Sequence, residues 1–201
     1  PLKRPEVLPG PVNLAVVQHT VTPECASDDD CERLVDGIRT YHIRRLGFDD
    51  IGQSFLIGGN GKVYEGAGWQ HAGAHTRAYN KRAVGISFIG DFNALEALRN
   101  LLACGVQKKY LTEGYHLVAH SQLSQTQSPG HLLQKHVELW PHWLDHAREM
   151  VDHAERAGSP SSVVAVPFLK KRVDPKTILC YALLGKNTLN IISLSRYSFG
   201  G

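Results

Sequence analysis

Residues 41–69 read YHIRRLGFDDIGQSFLIGGNGKVYEGAGW, and this stretch decides the fold. Residues 54–57 (SFLI) predict one short strand, and residues 62–65 (KVYE) predict its partner strand. The four residues between them, GGNG, contain the Asn-Gly pair that favours a tight turn between antiparallel strands. The stretch therefore predicts a β-hairpin, and Gly47 before it is expected to end a helix.

Strands and helices alternate on both sides of this hairpin. Valine-rich apolar runs predict strands, and apolar residues at helical spacing predict helices. The predicted strands are residues 13–18, 84–89 and 117–120, and the predicted helices are residues 32–46, 94–106 and 131–151. Residues 69–82 are polar and predict a loop. This alternation places the chain in the α/β class.

The length of 201 residues suits one domain with additional segments. Residues 1–12 contain four prolines and predict an extended lead-in, and residues 13–157 carry the periodic pattern of the domain. Residues 158–201 have no clear period. We expect that last stretch to be a C-terminal appendage, and its sequence does not predict its order.

The charge pattern excludes some classes of partner. The formal net charge is +3, and the basic residues are scattered rather than clustered with aromatic residues. We therefore expect no nucleic-acid partner. Residues 1–10 lack the apolar core of a signal peptide, and no apolar run reaches the roughly 18–20 residues that span a bilayer.

Six phrases, in order along the chain, resemble the peptidoglycan recognition protein family. They are VVQHTVTPEC, the 41–69 stretch, GAHTRAYN, VGISFIGDF, LLACGV and TQSPG. The resemblance extends from about residue 13 to residue 146. It implies the N-acetylmuramoyl-L-alanine amidase-like fold of the phage-lysozyme type, a central mixed β-sheet flanked by helices with a ligand groove on one face.

The resemblance also locates the zinc site of the family's amidases. Those enzymes hold zinc with two histidines and one cysteine and leave a position for the attacking water. The three ligand positions fall on Gln18, His120 and Ser128. Zinc prefers imidazole and thiolate donors to an amide and an alcohol. Gln53 stands where the family has a tyrosine that assists the reaction.

These replacements predict a domain that has no zinc cofactor and is not an enzyme. Two enzymatic alternatives were weighed. A residual zinc amidase is disfavoured by Gln18 and Ser128. A serine nucleophile at Ser128 with His120 as its base lacks a visible orienting carboxylate and oxyanion loop.

The four cysteines divide into two groups. Cys25 and Cys31 lie in the polar stretch ECASDDDC, where a bridge would close a loop of about seven residues and stabilise by roughly 2–2.5 kcal/mol. The residues alone leave two unpaired thiols as the alternative. The resemblance implies the bridge, and with it an oxidising, extracellular setting. We expect Cys104 to be a buried free thiol, and Cys180 lies in the appendage.

The resemblance further implies a set of residues that contact the peptide stem of peptidoglycan. Their amides, hydroxyls and imidazoles suit a peptide ligand. They are His19, Thr20, His42, Trp69, His75, Thr76, Tyr79, Asn80, His120 and Thr126. For each histidine, the alternative is a core or surface residue with a satisfied hydrogen bond.

Two subsites bear on the choice between lysine-type and diaminopimelate-type stems. Gly47 and Phe48 form a hybrid of the family's Gly-Trp pair, which accompanies diaminopimelate, and its Asn-Phe pair, which accompanies lysine. Lys81 and Arg82 follow Tyr79-Asn80, and a guanidinium can bind the extra diaminopimelate carboxylate in a bidentate pair. We favour Arg82 for this role; a solvated basic turn is the alternative.

Other departures suggest an incomplete groove. Leu46 and Ala67 replace polar family residues, and residues 93–100 are shorter than usual. The first hypothesis is a non-catalytic innate immune receptor domain that binds muropeptides, preferentially of diaminopimelate type, and signals by association with itself or a sister domain. The second is a co-receptor or decoy that pairs with a ligand-loaded sister domain. Either would be secreted or the ectodomain of a membrane receptor.

Overall fold

The computed structural model describes residues 6–90, 94–147 and 191–193. The first five residues of the lead-in, the last part of the predicted 131–151 helix and most of the 158–201 appendage lie outside these ranges. Within the described residues, none of the helices has the length and apolar character needed to cross a membrane.

A six-stranded mixed sheet forms the centre of the fold, in the order β5-β1-β4-β2-β3-β6. Adjacent strands are parallel except for the antiparallel pair β2 and β3, which is the predicted hairpin. The strands are β1 (Val12–His19), β2 (Phe55–Ile57), β3 (Val63–Glu65), β4 (Ala83–Phe88), β5 (Leu111–Ala119) and β6 (Ile191–Ser193).

Helices cover both faces of this sheet, as the fold prediction required. They are α1 (Asp28–Arg44), α2 (Leu95–Gln107), α3 (His120–Leu123) and α4 (His131–Val137). Apolar residues of α2 and α4 pack with alternate residues of β1 and β4 in the largest core cluster. Two smaller clusters join α1 to β2 and β3, and α3 to β1 and β5. Because strand residues alternate between faces, the chain forms a three-layer α/β domain.

The start of α1 is fixed by its sequence. The Ser27 side chain accepts a hydrogen bond from the Asp30 backbone N–H, and three aspartates fill the first turn. The acids are favourable there because the N-terminus of a helix carries partial positive charge. After α1, Gly47 adopts a positive φ of 72°, consistent with the predicted end of the helix.

A disulfide joins Cys25 to Cys31 and lies against the turn of the β2–β3 hairpin. A Cβ added at Gly59 would collide with the Cys25 carbonyl oxygen, and one added at Gly58 would lie 2.9 Å from the Cys31 sulfur. Gly58 and Gly59 of the GGNG turn are therefore required by close packing. Cys104 is also disulfide-bonded, so the prediction of a free thiol is wrong.

Two predicted elements have different limits in the structure. The helix predicted from residue 131 ends at Val137, because Pro141 lacks an N–H donor and its ring clashes with the preceding turn. The strand predicted to begin at residue 117 begins at Leu111, and His120 starts α3 instead of ending the strand.

The described part of the lead-in is ordered against the domain. Leu8 N donates to Gln70 O at 2.9 Å, and Ala72 N donates to Glu6 O at 2.8 Å. The Leu8 side chain is buried in the core. The predicted extended conformation is thus stabilised by pairing with residues 70–72.

Candidate functional site

The three positions of the family's zinc ligands converge at the ends of β1 and β5. Val17 pairs with Ala119, so Gln18 near the end of β1 lies beside His120, the first residue after β5. His19 N donates to Ser128 Oγ at 3.0 Å, and Ser121 N donates to Ser128 O at 2.8 Å. These bonds bring the 124–130 loop to the same strand ends.

The Gln18 side chain is buried and faces the loop of residues 73–80. Its Nε2 donates to the His75 carbonyl oxygen at 3.0 Å and to Thr76 Oγ1 at 3.2 Å. Only 3% of Gln18 is exposed. The amide therefore fastens a loop to the end of β1, in place of the metal coordination that a histidine would provide.

The donors at these three positions do not fit zinc. They are an amide bound to the 73–80 loop, a hydroxyl that accepts a backbone hydrogen bond, and the imidazole of His120. A single imidazole is too few for a zinc site, and an amide and an unactivated alcohol are weak zinc ligands. Within the described part of the chain, no group of three or more His, Cys, Asp or Glu residues could hold a metal ion.

Asn80 holds the other side of the same loop. Its Oδ1 accepts from the backbone N–H of His75 at 2.9 Å and of Thr76 at 2.8 Å. The His75 ring packs directly on the backbone of β4 at Gly85, where an added Cβ would collide with the ring. Gly85 was missed as a site residue. A glycine inside an apolar strand is the sequence signal for such a close approach.

Burial lowers the pKa of the histidines at the site. Burial lowers the pKa of His75 from 6.5 to about 4, and the neighbouring His120 adds to this effect. Desolvation also lowers the pKa of His19, of His42 and, together with the charge of His19, of His120. At neutral pH these rings are therefore uncharged, and each has one nitrogen that donates a hydrogen bond and one that accepts.

The end of α1 joins the site through a chain of contacts. His42 Nδ1 accepts from Gly52 N at 3.0 Å, and the His42 and Phe48 rings lie 5.5 Å apart. Gly52 O in turn accepts from Ala74 N at 2.7 Å. The structure thereby connects the predicted specificity pair Gly47-Phe48 to the loop that carries His75. We refer to His19, Thr20, His42, Phe48, His75 and His120 as the candidate site.

Several predicted contact residues are buried and serve the fold. Trp69 is in the core on the α2 face of the sheet, 4.7 Å from the Phe55 ring and stacked on Tyr110. A direct ligand contact by Trp69 is therefore excluded, and that prediction is corrected. Thr76 and Tyr79 are also buried, so neither presents its side chain broadly at the surface. Thr126 is exposed, and its hydroxyl accepts from Ser128 N within the loop.

Lys81 and Arg82 lie away from the histidines, at the start of β4. Leu14 pairs with Ala83, and Gln18 pairs with Ser87. Four residues of strand separate these pairs, which corresponds to about 13 Å. Lys81 forms an exposed ion pair with Glu6 at 2.8 Å.

The Arg82 guanidinium lies 4.4 Å from the centroid of the Tyr79 ring. This cation–π contact holds the start of β4 against the 73–80 loop. A separate cavity of about 520 Å³ lies between α2 and residues 139–142, apart from all of the predicted ligand contacts.

Comparison with known proteins agrees with this geometry. The family model described as N-acetylmuramoyl-L-alanine amidase matches residues 8–131. A peptidoglycan recognition protein of Trichoplusia ni is 51% identical over 147 residues, which cover 70% of this chain and 81% of that protein.

Two solved structures with bound ligand are similar over most of their length. One is the ectodomain complex of peptidoglycan recognition proteins LCa and LCx with tracheal cytotoxin (TM-score 0.69, 43% identity, covering 71% of this chain and 90% of that chain). The other is recognition protein LE with tracheal cytotoxin, a monomeric diaminopimelic acid-type peptidoglycan (TM-score 0.70, 38% identity, covering 74% and 91%). The chain belongs to the peptidoglycan recognition protein family.

Proposed function

We propose that this chain is a non-catalytic innate immune receptor domain that binds peptidoglycan fragments without cutting them. One observation carries the proposal: Gln18 and Ser128, at two zinc-ligand positions, are both committed to hydrogen bonds that hold the fold. A domain with this arrangement retains a surface for the ligand and lacks the group that would activate water.

The partly exposed members of the candidate site supply the contacts in this proposal. His19, His42 and His120 are half-buried and uncharged at neutral pH, so they can form hydrogen bonds with the amides of a peptide stem. His42 can only donate, because its Nδ1 already accepts from Gly52 N. Phe48 adds an apolar surface beside His42. His75, Thr76 and Asn80 position this surface through the loop contacts described above.

In this proposal, the domain acts outside the cell. The Cys25–Cys31 disulfide is stable in an oxidising compartment. Secreted proteins and receptor ectodomains both satisfy this condition, and the complex of LCa and LCx is an ectodomain assembly. We infer that ligand binding brings such domains together, as homo- or hetero-associations, and that this proximity transmits the signal.

A preference for diaminopimelate-type stems is the finer part of the proposal. The ligand in both solved complexes is tracheal cytotoxin, and one of them identifies it as diaminopimelic acid-type. Arg82 precedes Ala83 and lies five strand residues, about 16 Å, from the level of Gln18 along the strand direction. An extended stem of three to four residues spans roughly 10–14 Å, so contact with Arg82 requires the long side chains of the third stem residue and of Arg82 to cover the remaining distance.

Calorimetric titration with two monomeric muropeptides that differ only in the third stem residue tests this function. We expect saturable binding of the diaminopimelate form and weaker binding of the lysine form. Equal affinities for the two muropeptides would contradict the preference for diaminopimelate but would still support a receptor function. Absence of heat with either ligand would contradict binding by the isolated chain.

The substitution Arg82→Ala tests the subsite. We expect it to weaken the binding of the diaminopimelate ligand by about 1.5–3 kcal/mol, because a charge-assisted hydrogen bond is lost. The affinity for the lysine ligand should stay nearly unchanged. Lys81→Ala is the matched control, since its ammonium is engaged with Glu6. Equal losses for both ligands would mean that Arg82 supports the fold through Tyr79 instead.

A co-receptor function is the second candidate. The complex of LCa and LCx with tracheal cytotoxin shows that two such domains assemble with one kind of ligand. The exposed apolar side chains of Tyr41, Ile43 and Leu46 along the end of α1 favour contact with a partner. Heat that develops only when a ligand-loaded sister domain is present would support this candidate over the first.

A further inference from the structure

The outer edge of β3 is covered by a short strand from the C-terminal part of the chain. β6 pairs with β3 in parallel, with Val63 opposite Ile191, Tyr64 opposite Ile192 and Glu65 opposite Ser193. The family model ends at residue 131. β6 therefore extends the sheet beyond the part that this chain shares with the family model.

The hydrogen-bond pattern of the hairpin determines which groups of β3 face β6. Gly66 N donates to Ser54 O, and Gly58 N donates to Lys62 O, each at 3.0 Å. Along a pair of antiparallel strands, opposite residues alternate between pairs that are joined by backbone hydrogen bonds and pairs that are not. The backbone groups of Tyr64 therefore bond to β2, and those of its two neighbours in β3 point outward, toward β6.

In a pair of parallel strands, the N–H and C=O of one residue of β6 form hydrogen bonds with both of these outward-facing residues of β3. Because Ile192 lies opposite Tyr64, its N–H is directed at the Val63 carbonyl oxygen. Its carbonyl oxygen accepts from the Glu65 N–H. The N–H groups of Ile191 and Ser193 point away from β3.

We propose that the outer edge of β3 is a strand-docking edge that the chain closes with its own segment Ile191–Ser193. Two properties of the described residues carry this assignment. Val63 and Tyr64 are fully buried, so β3 presents a fixed backbone template. The segment places two adjacent β-branched residues on that template, and such residues favour strands.

Closure of this edge protects the molecule from edge-to-edge association. An open edge exposes unpaired N–H and C=O groups that can pair with another chain. β6 has only three residues, so the closure rests on few hydrogen bonds and can be opened by a single substitution. The occupant that fits is an extended apolar peptide in parallel register, and the chain supplies one itself.

A pair of proline substitutions in the full chain tests the assignment. Ile192→Pro removes the N–H directed at Val63, whereas Ser193→Pro removes one that points away from β3. Amide hydrogen exchange at Glu65 is the readout. We expect protection in the unaltered chain, exchange at least about tenfold faster in Ile192→Pro, and little change in Ser193→Pro. Equal effects of the two prolines, or rapid exchange at Glu65 in the unaltered chain, would overturn the proposal.

A synthetic peptide with the sequence of residues 187–196, NTLNIISLSR, tests docking separately from closure. We expect it to bind the Ile192→Pro chain and to restore slow exchange at Glu65, and to leave the unaltered chain unaffected. A peptide with the same residues in scrambled order is the control. Failure of the peptide to bind the opened chain, or equal binding of the scrambled peptide, would contradict a sequence-selective docking edge.

Discussion

The Gln18 side chain shows how one substitution changes the purpose of a site. A histidine at this position would present an imidazole to a metal, whereas the longer, neutral amide reaches the His75 carbonyl oxygen and Thr76. The loop that carries His75 is thereby fastened from two sides, by Gln18 and by Asn80. The same side chain thus offers no imidazole to a metal and supports the loop instead.

Removal of these contacts should destabilise the domain. We expect Gln18→Ala and Asn80→Ala each to lower the free energy of unfolding by about 1–3 kcal/mol, because buried partners are left unsatisfied. Urea denaturation provides the measurement. Arg77→Ala, at an exposed position in the same loop, is the control and should change stability by less than about 0.5 kcal/mol. If all three variants lost the same stability, the buried hydrogen bonds would not be the cause.

His75 should make the stability of the domain dependent on pH. Its pKa is about 4 in the folded chain and 6.5 in the reference state, so the unfolded chain takes up a proton first as the pH falls. The contribution of His75 is present above about pH 6.5 and decreases by about 3 kcal/mol between pH 7 and pH 4. The pKa values of His19, His42 and His120 shift in the same direction.

Urea denaturation at pH 7, 5.5 and 4.5 measures this dependence. We expect His75→Gln to flatten the curve, because the glutamine does not titrate, and exposed His136→Gln to leave it unchanged. An unaltered slope in His75→Gln would contradict the assignment to His75.

Short phrases with fixed spacing allowed the sequence to predict the three zinc-ligand positions and the contact residues, and the structure brings Gln18, His120 and Ser128 together. The sequence did not distinguish ligand contacts from core residues. Trp69 belongs to such a phrase, yet it packs between Phe55 and Tyr110. The distance between Arg82 and Gln18 likewise follows from strand register, which residue types alone do not give.

At the scale of elements, the hairpin was predicted most completely. Its turn signal and its two apolar runs are local, and the structure places β2 and β3 on either side of the GGNG turn. The length of α4 was predicted poorly because the apolar pattern continues past Pro141, where the helix cannot. The first half of β5 was missed because Thr112, Glu113 and Gly114 interrupt its apolar pattern.

Replacement of two glycines by alanine should change the stability of the domain in opposite directions. Gly59→Ala should lower the free energy of unfolding by about 1–3 kcal/mol, since the new methyl group meets the Cys25 backbone. Gly37→Ala, in the exposed middle of α1 with open space around it, should raise stability by about 0.5–1 kcal/mol through helix propensity. Thermal and urea unfolding compare the two. Destabilisation of the same size in both would rule out the packing explanation for Gly59.

At the scale of the whole molecule, the fold brings together the three positions that correspond to the zinc ligands of the family's amidases, with Gln18 and Ser128 at two of them. Gln18, His120 and Ser128 converge at the ends of β1 and β5. The difference between a binding domain and an amidase rests on side chains at these positions.

Restoration of two side chains should recover metal binding. We expect the double variant Gln18→His, Ser128→Cys to bind one zinc ion per chain, with His120 as the third ligand. Titration with cobalt gives an independent spectroscopic signal from the thiolate. The single variant Ser128→Cys is the control and should bind far more weakly, because it lacks one imidazole. Absence of binding in the double variant would show that the strand ends have moved out of coordination geometry.

The most direct test of the central claim is recovery of the ligand after binding. The unaltered chain is incubated with a diaminopimelate-type muropeptide and added zinc, at concentrations where calorimetry shows the ligand bound. The products are then separated by chromatography and identified by mass spectrometry. The account predicts that the muropeptide is bound and recovered intact. Release of a free stem peptide from the sugar would contradict it.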